Sequence, residues 1–193
     1  LKKFVLRSGN GIKTRQPIPT LKEALNVCKG RILVNIDKGG TYIKEIMPII
    51  QECGMEKQVI IKGYYPVEKV KKEYGSNESM LYMPIVNLWD KEAVATIQTF
   101  IKNFTPIAYE LCFKDDANPN LKIIDEIAKS GSRIWMNTLW DSLCGGHDDE
   151  NALLESKDKH WGWMLKHKAT MIQTDRPQAL IHYLEEKGLR DLE

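Results

Sequence analysis

The chain has 193 residues, of which 42% are hydrophobic and 28% are charged, with a formal net charge of +2. This composition is typical of an ordinary globular protein with one core, so we expect a single domain over residues 1–193. The balanced charge excludes a general attraction to nucleic acid, and any recognition of an anion must be local. All apolar runs have strand length, so we expect no membrane span.

The four cysteines indicate neither a metal knuckle nor a disulfide framework. Cys28, Cys53, Cys112 and Cys144 are widely spaced and form no C-x-x-C pair, so we expect reduced, mostly buried thiols. These thiols leave the compartment open. It is cytoplasmic, or periplasmic or secreted if a signal peptide precedes Leu1, which is not an initiator methionine.

Short apolar runs alternate with amphipathic stretches along the whole chain, which predicts strands alternating with helices. Strands are predicted at 32–36, 59–61, 80–86, 107–113, 133–137 and 170–173. Helices are predicted at 21–28, 41–53, 67–74, 91–104, 121–128, 151–166 and 177–187. Thr20 followed by Glu23 is the pattern of a capping box at the start of the first helix. Gly9-Asn10-Gly11 and Gly39-Gly40 indicate only turns.

The repeating strand-helix unit, with continuous apolar strands, indicates parallel strands covered by helices. Two α/β architectures fit this pattern, a doubly wound open sheet and a (β/α)8 barrel. A complete barrel needs about 250 residues and eight units. As a barrel the chain would therefore be incomplete, with about six βα units and the first two missing. The glycine fingerprint of a dinucleotide or phosphate-binding loop is absent from the sequence.

Polar residues are predicted at the ends of several strands, where barrels of this type carry their active sites. They are Asp37, Lys38, Lys62, Glu110, Asn137, Thr174 and Asp175. Carboxylates bind Mg²⁺ or Ca²⁺ through oxygen, and lysines hold phosphate oxygens as point charges. The set therefore suits a phosphate ester bridged to a metal. Taken one at a time, each residue also fits a solvated loop charge.

The segment 138–150 is the longest predicted loop, and long loops in compact domains are usually functional or disordered. It contains Trp140, His147, Asp148 and Asp149. One interpretation places His147 in a binding pocket. The other leaves His147 exposed and uses Asp148 or, by preference, Asp149 to cap the next helix. Residues 161–163, a Trp-Gly-Trp segment, are expected to pack in the core.

Four segments resemble motifs of the glycerophosphodiester phosphodiesterase family, in the family's order and over essentially the whole chain. They read IPTLKEAL at 18–25, VNIDK at 34–38, WMN at 135–137 and TDRP at 174–177. The resemblance implies a TIM-type (β/α)8 barrel, incomplete here. It also implies hydrolysis of a small-molecule glycerophosphodiester to glycerol 3-phosphate and an alcohol by a metal-assisted acid–base mechanism.

The resemblance also assigns roles to individual residues. It implies that Asp37, where the family has Glu, binds a divalent cation, Mg²⁺ or Ca²⁺. Lys38 follows the acid one residue earlier than the family's lysine does, so Lys62 is the alternative phosphate-side cation. Substrate binding is expected at Lys38, Lys62, Glu110, Asn137, Trp140 and His147. The family's catalytic histidines, in HRG and HD motifs, and its E-x-D acids have no counterpart in the sequence. We therefore expect residues 1–193 alone to show no diesterase activity.

Two alternatives remain open. The chain could be a non-catalytic binding remnant of a barrel. Such a form would expose two sheet edges, a liability unless a homo-oligomer covers them. It could also be an aldolase-type barrel that uses Lys62 as a Schiff-base nucleophile.

Overall fold

The computed structural model describes residues 2–74 and 80–190. Its contacts divide the chain into two compact units. Unit 1 contains residues 2–62 together with 80 and 81, and unit 2 contains the remaining described residues. The helix predicted at 67–74 would stop at Gly75, which lies outside the described residues.

Unit 1 begins with a hairpin that the sequence did not predict. Strands β1 (Val5–Arg7) and β2 (Lys13–Pro17) pair antiparallel. Most of their residues are exposed, so the alternation of apolar and polar residues that marks a half-buried strand is missing. The turn predicted at 9–11 is present, with Gly11 in the left-handed region at φ 83°.

Helix α1 (Leu21–Cys28) starts with the predicted capping box. The Glu23 N–H donates to the Thr20 hydroxyl oxygen at 3.2 Å, and the Thr20 N–H donates to the Glu23 carboxylate at 2.7 Å. Two of the orphan donors at the helix start are satisfied in this way. The predicted bounds of the helix are confirmed.

Replacing Thr20 with alanine is expected to lower the free energy of unfolding by about 1 kcal/mol, because one cap acceptor is lost. Urea unfolding followed by circular dichroism measures the change. Thr41→Ala, at an exposed position of the same unit, is the matched control and should stay within about 0.5 kcal/mol of wild type. Equal losses in the two variants would contradict the capping role.

The parallel part of unit 1 consists of β3 (Val34–Ile36) and β4 (Val59–Gly63, apart from its last residue), with Val34 opposite Val59. Helix α2 (Ile43–Cys53) follows a 3-10 turn at Gly39–Tyr42. The prediction that β3 starts at residue 32 is wrong. The Gln58 side chain donates to the Ile32 carbonyl at 3.0 Å. The backbone at residue 32 therefore bonds to a side chain, and pairing with β4 begins only at Val34.

The two faces of this strand pair differ in chemistry. A Cβ on Gly39 would lie 3.0 Å from the Ile36 side chain and 3.2 Å from that of Ile46, so Ile36 faces helix α2. Side chains alternate along a strand. Asn35, Asp37 and Lys62 therefore lie on the face opposite to α2.

Unit 2 contains four parallel strands in the order β5-β6-β7-β8. They are β5 (Leu81–Asn87, apart from its first residue), β6 (Ala108–Cys112), β7 (Arg133–Asn137) and β8 (Met171–Gln173). The helices are α3 (Val67–Tyr74), α4 (Ala93–Asn103), α5 (Ile124–Ser130), α6 (Asp149–Leu154), α7 (Trp161–Lys166) and α8 (Pro177–Glu186). All four predicted strands are confirmed to within two residues.

The core of unit 2 lies between the sheet and its helices. Phe100 of α4 stacks on Tyr82 of β5 at 6.2 Å and meets Tyr109 of β6 edge-on at 6.3 Å. All three side chains are buried. Rings of this size contribute much of the apolar area that drives folding. Tyr82, Tyr109 and the side chains that alternate with them therefore mark the helix-covered face of these strands.

The single helix predicted at 151–166 is wrong, because α6 and α7 are separate. The Asn151 carbonyl accepts from both Glu155 and Ser156, which closes α6 early. Helix α7 then packs at Gly162, where a Cβ would lie 2.8 Å from the Tyr183 hydroxyl. Trp161 is fully buried, as predicted for this segment.

The four cysteines are free thiols, three of them buried and Cys28 partly exposed, which confirms the prediction. In residues 2–74 and 80–190, no helix combines the length and apolar character that a bilayer crossing requires.

Candidate functional site

The strand ends of unit 1 bring together Asp37 and Lys62. The Lys62 ammonium lies 3.3 Å from the Asp37 carboxylate oxygen. The lysine side chain is only 7% exposed, whereas that of the aspartate is 66% exposed. The two groups form an ion pair, in which the buried ammonium is the partner suited to an anionic oxygen.

Lys38 differs from its neighbour Asp37 in backbone conformation. It adopts the left-handed region at φ 57°, and its carbonyl accepts from the Thr41 N–H at 3.1 Å. The strand alternation therefore ends at Asp37, and Lys38 is exposed at the start of the 3-10 turn. Its phosphate-binding role stays a prediction.

Asn35 is a residue that sequence reasoning missed. It lies two positions before Asp37 on the same face of β3. Within the described part of the chain, its buried Oδ1 has no hydrogen-bond partner. An unpaired buried acceptor is costly and often marks a place for a ligand or water. Its spacing of two residues from Asp37, which places both side chains on one face of a strand, was the signal that could have identified Asn35.

In unit 2 the structure brings together Glu110 and Asn137. Asn137 is the last residue of β7, but Glu110 lies in the middle of β6, so the prediction that Glu110 ends its strand is wrong. The Asn137 amide donates to Glu110 at 2.8 Å and accepts from the Trp135 indole N–H at 3.2 Å. Both Glu110 and Asn137 are buried. The Glu110 carboxylate is therefore held in a fixed orientation by Asn137, which is held in turn by Trp135. Trp135, which sequence reasoning did not include, is spaced two residues from Asn137 on the same strand face.

His147 occupies a different layer of unit 2. It is buried and stacks on Trp163 with ring centroids 4.2 Å apart, and Trp163 also contacts Phe113 at 5.5 Å. Phe113 follows β6 three residues after Glu110. Because side chains alternate along a strand, Phe113 and Glu110 point to opposite faces. His147 therefore packs with the helical layer, away from the Glu110 face. The interpretation that leaves His147 exposed is wrong, and its substrate-binding role stays a prediction.

Three charged or titratable groups surround His147. Its Nε2 lies 3.5 Å from Asp116, and its ring lies 5.4 Å from that of His160. His167 also stacks on Trp163, with ring centroids 3.6 Å apart. Burial and the neighbouring His160 lower the pKa of His147, more than Asp116 raises it. The surroundings therefore favour the neutral form of the imidazole.

Asp148, not Asp149, caps helix α6, so the preference for Asp149 is wrong. The Asp148 carboxylate accepts from the Asn151 N–H at 2.9 Å. Asp149 is instead a buried acceptor that ties the ends of β7 and β8 to α7. Its donors are the Thr138 hydroxyl at 2.6 Å, the Trp161 indole at 3.0 Å, the Thr174 hydroxyl at 2.8 Å and the Asp175 N–H at 2.8 Å.

The loop after β7 is held against the end of β6. The Phe113 N–H donates to Leu143 at 3.2 Å, and the Gly145 N–H donates to Phe113 at 2.9 Å. Gly145 has φ 59°, and a Cβ there would lie 2.9 Å from the Asp116 nitrogen. The close approach requires glycine. Trp140, at the start of this loop, is 55% exposed.

The described residues contain no group of three or more His, Cys, Asp or Glu side chains placed to hold a metal ion. Asp37 could offer one oxygen ligand, but the Lys62 ammonium lies beside it. A divalent cation takes six or more oxygen ligands, several from protein or water. These residues do not form a complete site for such an ion.

The comparisons with known proteins support the fold. Residues 82–184, just over half of the chain, match the family model DUF4996, described as a domain of unknown function. The search of curated proteins gives no match. A glycerophosphoryl diester phosphodiesterase from Parabacteroides distasonis is similar in structure, with TM-score 0.70 and 19% identity over 97% of this chain and 62% of that one.

A second solved structure shows the same likeness. It is a putative glycerophosphoryl diester phosphodiesterase from Silicibacter pomeroyi, with TM-score 0.60 and 11% identity over 91% of this chain and 59% of that one. The chain thus spans about three-fifths of the length of these structures. The incomplete (β/α)8-type barrel is therefore confirmed as the fold class.

Proposed function

The chain belongs to the family DUF4996, a domain of unknown function. From its fold and its strand-end residues, we propose that it is part of a phosphodiesterase that hydrolyses glycerophosphodiesters. The products would be glycerol 3-phosphate and an alcohol. Likeness to the two phosphodiesterase structures supports the reaction class at the level of the fold.

The observation that carries the proposal is the buried Lys62 ammonium at the end of β4, 3.3 Å from Asp37. A buried cation strengthens the attraction of a phosphate oxygen because little water screens it. We propose that Lys62 holds the phosphate, with Lys38 as a second, exposed cation. In unit 2, Glu110 and Asn137 are proposed to contact polar groups of the substrate.

Asp37 is proposed to give one ligand to Mg²⁺ or Ca²⁺. When bound, such an ion would polarise the phosphoryl oxygen. The described residues do not complete its site, so no step of the proposal depends on it. The acid–base groups of the reaction are not assigned to any described residue.

The test is hydrolysis of glycerophosphodiesters by the full natural protein, followed as release of glycerol 3-phosphate. Lys62→Met keeps the volume of the side chain but removes its charge, and should lower kcat/KM by about 10²-fold or more. Lys57→Met, at an exposed position before β4, is the matched control and should leave kcat/KM unchanged.

Each outcome has a distinct meaning. No release of glycerol 3-phosphate by the full natural protein, with Mg²⁺ or Ca²⁺ supplied, would overturn the proposed function and favour the non-catalytic alternative. Hydrolysis that survives Lys62→Met unchanged would overturn the role of Lys62 alone.

A further inference from the structure

The hairpin at the start of unit 1 carries positive charge only. We call residues 2–17 the basic hairpin, because this segment contains five cations and no carboxylate. All five cations are exposed: Lys2, Lys3, Arg7, Lys13 and Arg15. The whole chain has a net charge of only +2, so the rest of the chain is net negative. A local excess of this kind directs the hairpin toward an anionic partner.

Two of these cations face each other across the hairpin. Arg7 lies directly opposite Lys13 in the register of β1 and β2. The side chains of opposed residues start about 5 Å apart, and like charges at this spacing destabilise a strand pair. Because the basic hairpin contains no carboxylate, this repulsion is not relieved from within the hairpin. A negatively charged group bound over the two side chains would relieve it.

Apolar side chains are exposed beside the cations. Phe4 is 65% exposed and Ile12 is 64% exposed, while Val5 is 42% and Leu6 is 43% exposed. Apolar side chains that are exposed together in one segment usually mark an interaction surface. A nucleic-acid backbone would neutralise the cations but leave these side chains in water. An anionic membrane surface suits both groups, since its phosphates attract the cations and its acyl boundary accepts the apolar side chains.

The backbone of the turn in this hairpin is suited to such a boundary. The Gly11 N–H donates to the Ser8 carbonyl at 2.8 Å, and the Ser8 N–H donates to the Ile12 carbonyl at 2.9 Å. The Gly11 carbonyl accepts from the Arg7 guanidinium at 2.7 Å. Backbone polar groups that are bonded within the chain cost less free energy to move out of water than unpaired ones. The tip of the hairpin can therefore approach the acyl boundary without losing its own hydrogen bonds.

We propose that the basic hairpin binds the surface of a membrane that contains anionic phospholipids. Its exposed cations hold the lipid phosphates, while Phe4 and Ile12 enter the boundary between headgroups and acyl chains. Lys2 contributes less than the other cations, because it already pairs with Glu23 at 2.6 Å. Binding of this kind holds a protein on a membrane without a spanning segment. The proposal is separate from the proposed hydrolysis, since the hairpin contains none of the residues assigned to the substrate.

The experiment is co-sedimentation of the full natural protein with sucrose-loaded vesicles. One set of vesicles is phosphatidylcholine alone, and the other contains about one third phosphatidylglycerol, which gives the surface a negative potential. We expect binding to the anionic vesicles at about 0.1 M sodium chloride and weaker binding at about 0.5 M, because salt screens the attraction. We expect little binding to phosphatidylcholine alone.

The double variant Lys13→Gln with Arg15→Gln tests the cations. One cation near an anionic surface strengthens binding about fivefold, so the double variant should bind the anionic vesicles about 25-fold more weakly than wild type. The matched control is Lys44→Gln with Lys57→Gln, which removes the same charge from two exposed positions of unit 1 outside the hairpin. It should stay within about twofold of wild type.

Phe4→Ser tests the apolar side chains. It should weaken binding to the anionic vesicles about tenfold, because the ring no longer leaves water at the boundary. Tyr42→Ser, at a 59% exposed aromatic position of unit 1, is the matched control and should bind like wild type. All the substituted side chains are exposed, and circular dichroism verifies that each variant is folded.

Binding that requires phosphatidylglycerol, falls with salt and weakens in both hairpin variants but not in their controls supports the proposal. No binding, equal binding to both kinds of vesicle, or binding unchanged in either hairpin variant would overturn it. Tighter binding to a duplex oligonucleotide than to the anionic vesicles would also overturn it, since the partner would then be a nucleic acid. Because co-sedimentation does not measure hydrolysis, its failure leaves the proposed phosphodiesterase function to its own assay.

Discussion

Replacing Asp149 with alanine is expected to lower the free energy of unfolding of unit 2 by about 3–5 kcal/mol. The carboxylate is 3% exposed and accepts from four donors. Hydrogen bonds to a charged group are worth about 1.5–3 kcal/mol each, and removing the acceptor leaves buried donors without a partner. The loss would separate the ends of β7 and β8 from α7.

Urea unfolding followed by near-ultraviolet circular dichroism measures this loss, because Trp161 is both a donor to Asp149 and a chromophore. Asp148→Ala is the matched control, since it removes the neighbouring carboxylate, which accepts from the N–H and the side-chain amide of Asn151 at the start of α6. It should cost about 1 kcal/mol. Equal destabilisation by the two alanine variants would contradict the role given to Asp149.

The neighbouring aspartates show where sequence reasoning ends. Asp148 and Asp149 are both good caps, and local pattern offers no way to choose between them. The choice is made by Thr138, Thr174 and Trp161, which lie 11 to 25 residues from Asp149. Such partners become neighbours only when the strands have paired. Local sequence therefore predicts that a cap exists, and tertiary structure decides which residue provides it.

The strand order was predictable because each buried strand is a short apolar run between turn or cap residues, a local signal. The β1–β2 hairpin was not predicted, because its residues are mostly exposed and give no apolar run. Among the polar residues predicted at the strand ends, the structure places Lys62 within ion-pair distance of Asp37 and Asn137 within hydrogen-bond distance of Glu110, pairs that the sequence did not predict.

The position of His147 could not be predicted in the same way. A loop has no fixed period, so its sequence does not tell which layer a side chain enters. The layer is determined by Trp163, which lies 16 residues later in the chain and stacks on the imidazole.

Acidification is expected to destabilise unit 2 through His147. Burial lowers the pKa of this imidazole in the folded state, whereas an unfolded histidine titrates near pH 6.5. Above about pH 6.5 both states are neutral, and the full stability is present. Below that pH, His147 binds a proton in the unfolded chain but remains neutral in the folded chain. Stability therefore falls, by up to about 1.4 kcal/mol per pH unit, until the folded-state pKa is reached.

Urea unfolding at pH 7.5, 6.5 and 5.5 tests this dependence. His147→Phe removes the titrating group but keeps an aromatic ring against Trp163, and its stability should fall less steeply than that of wild type between pH 6.5 and 5.5. His182→Gln, which removes an exposed histidine of α8, is the matched control and should keep the wild-type slope. Parallel slopes for wild type and His147→Phe would show that the imidazole takes up its proton equally well in the folded and unfolded chains. In that case His160 and the aromatic stack do not disfavour the charged form of His147, and burial of His147 does not make the free energy of unfolding depend on pH.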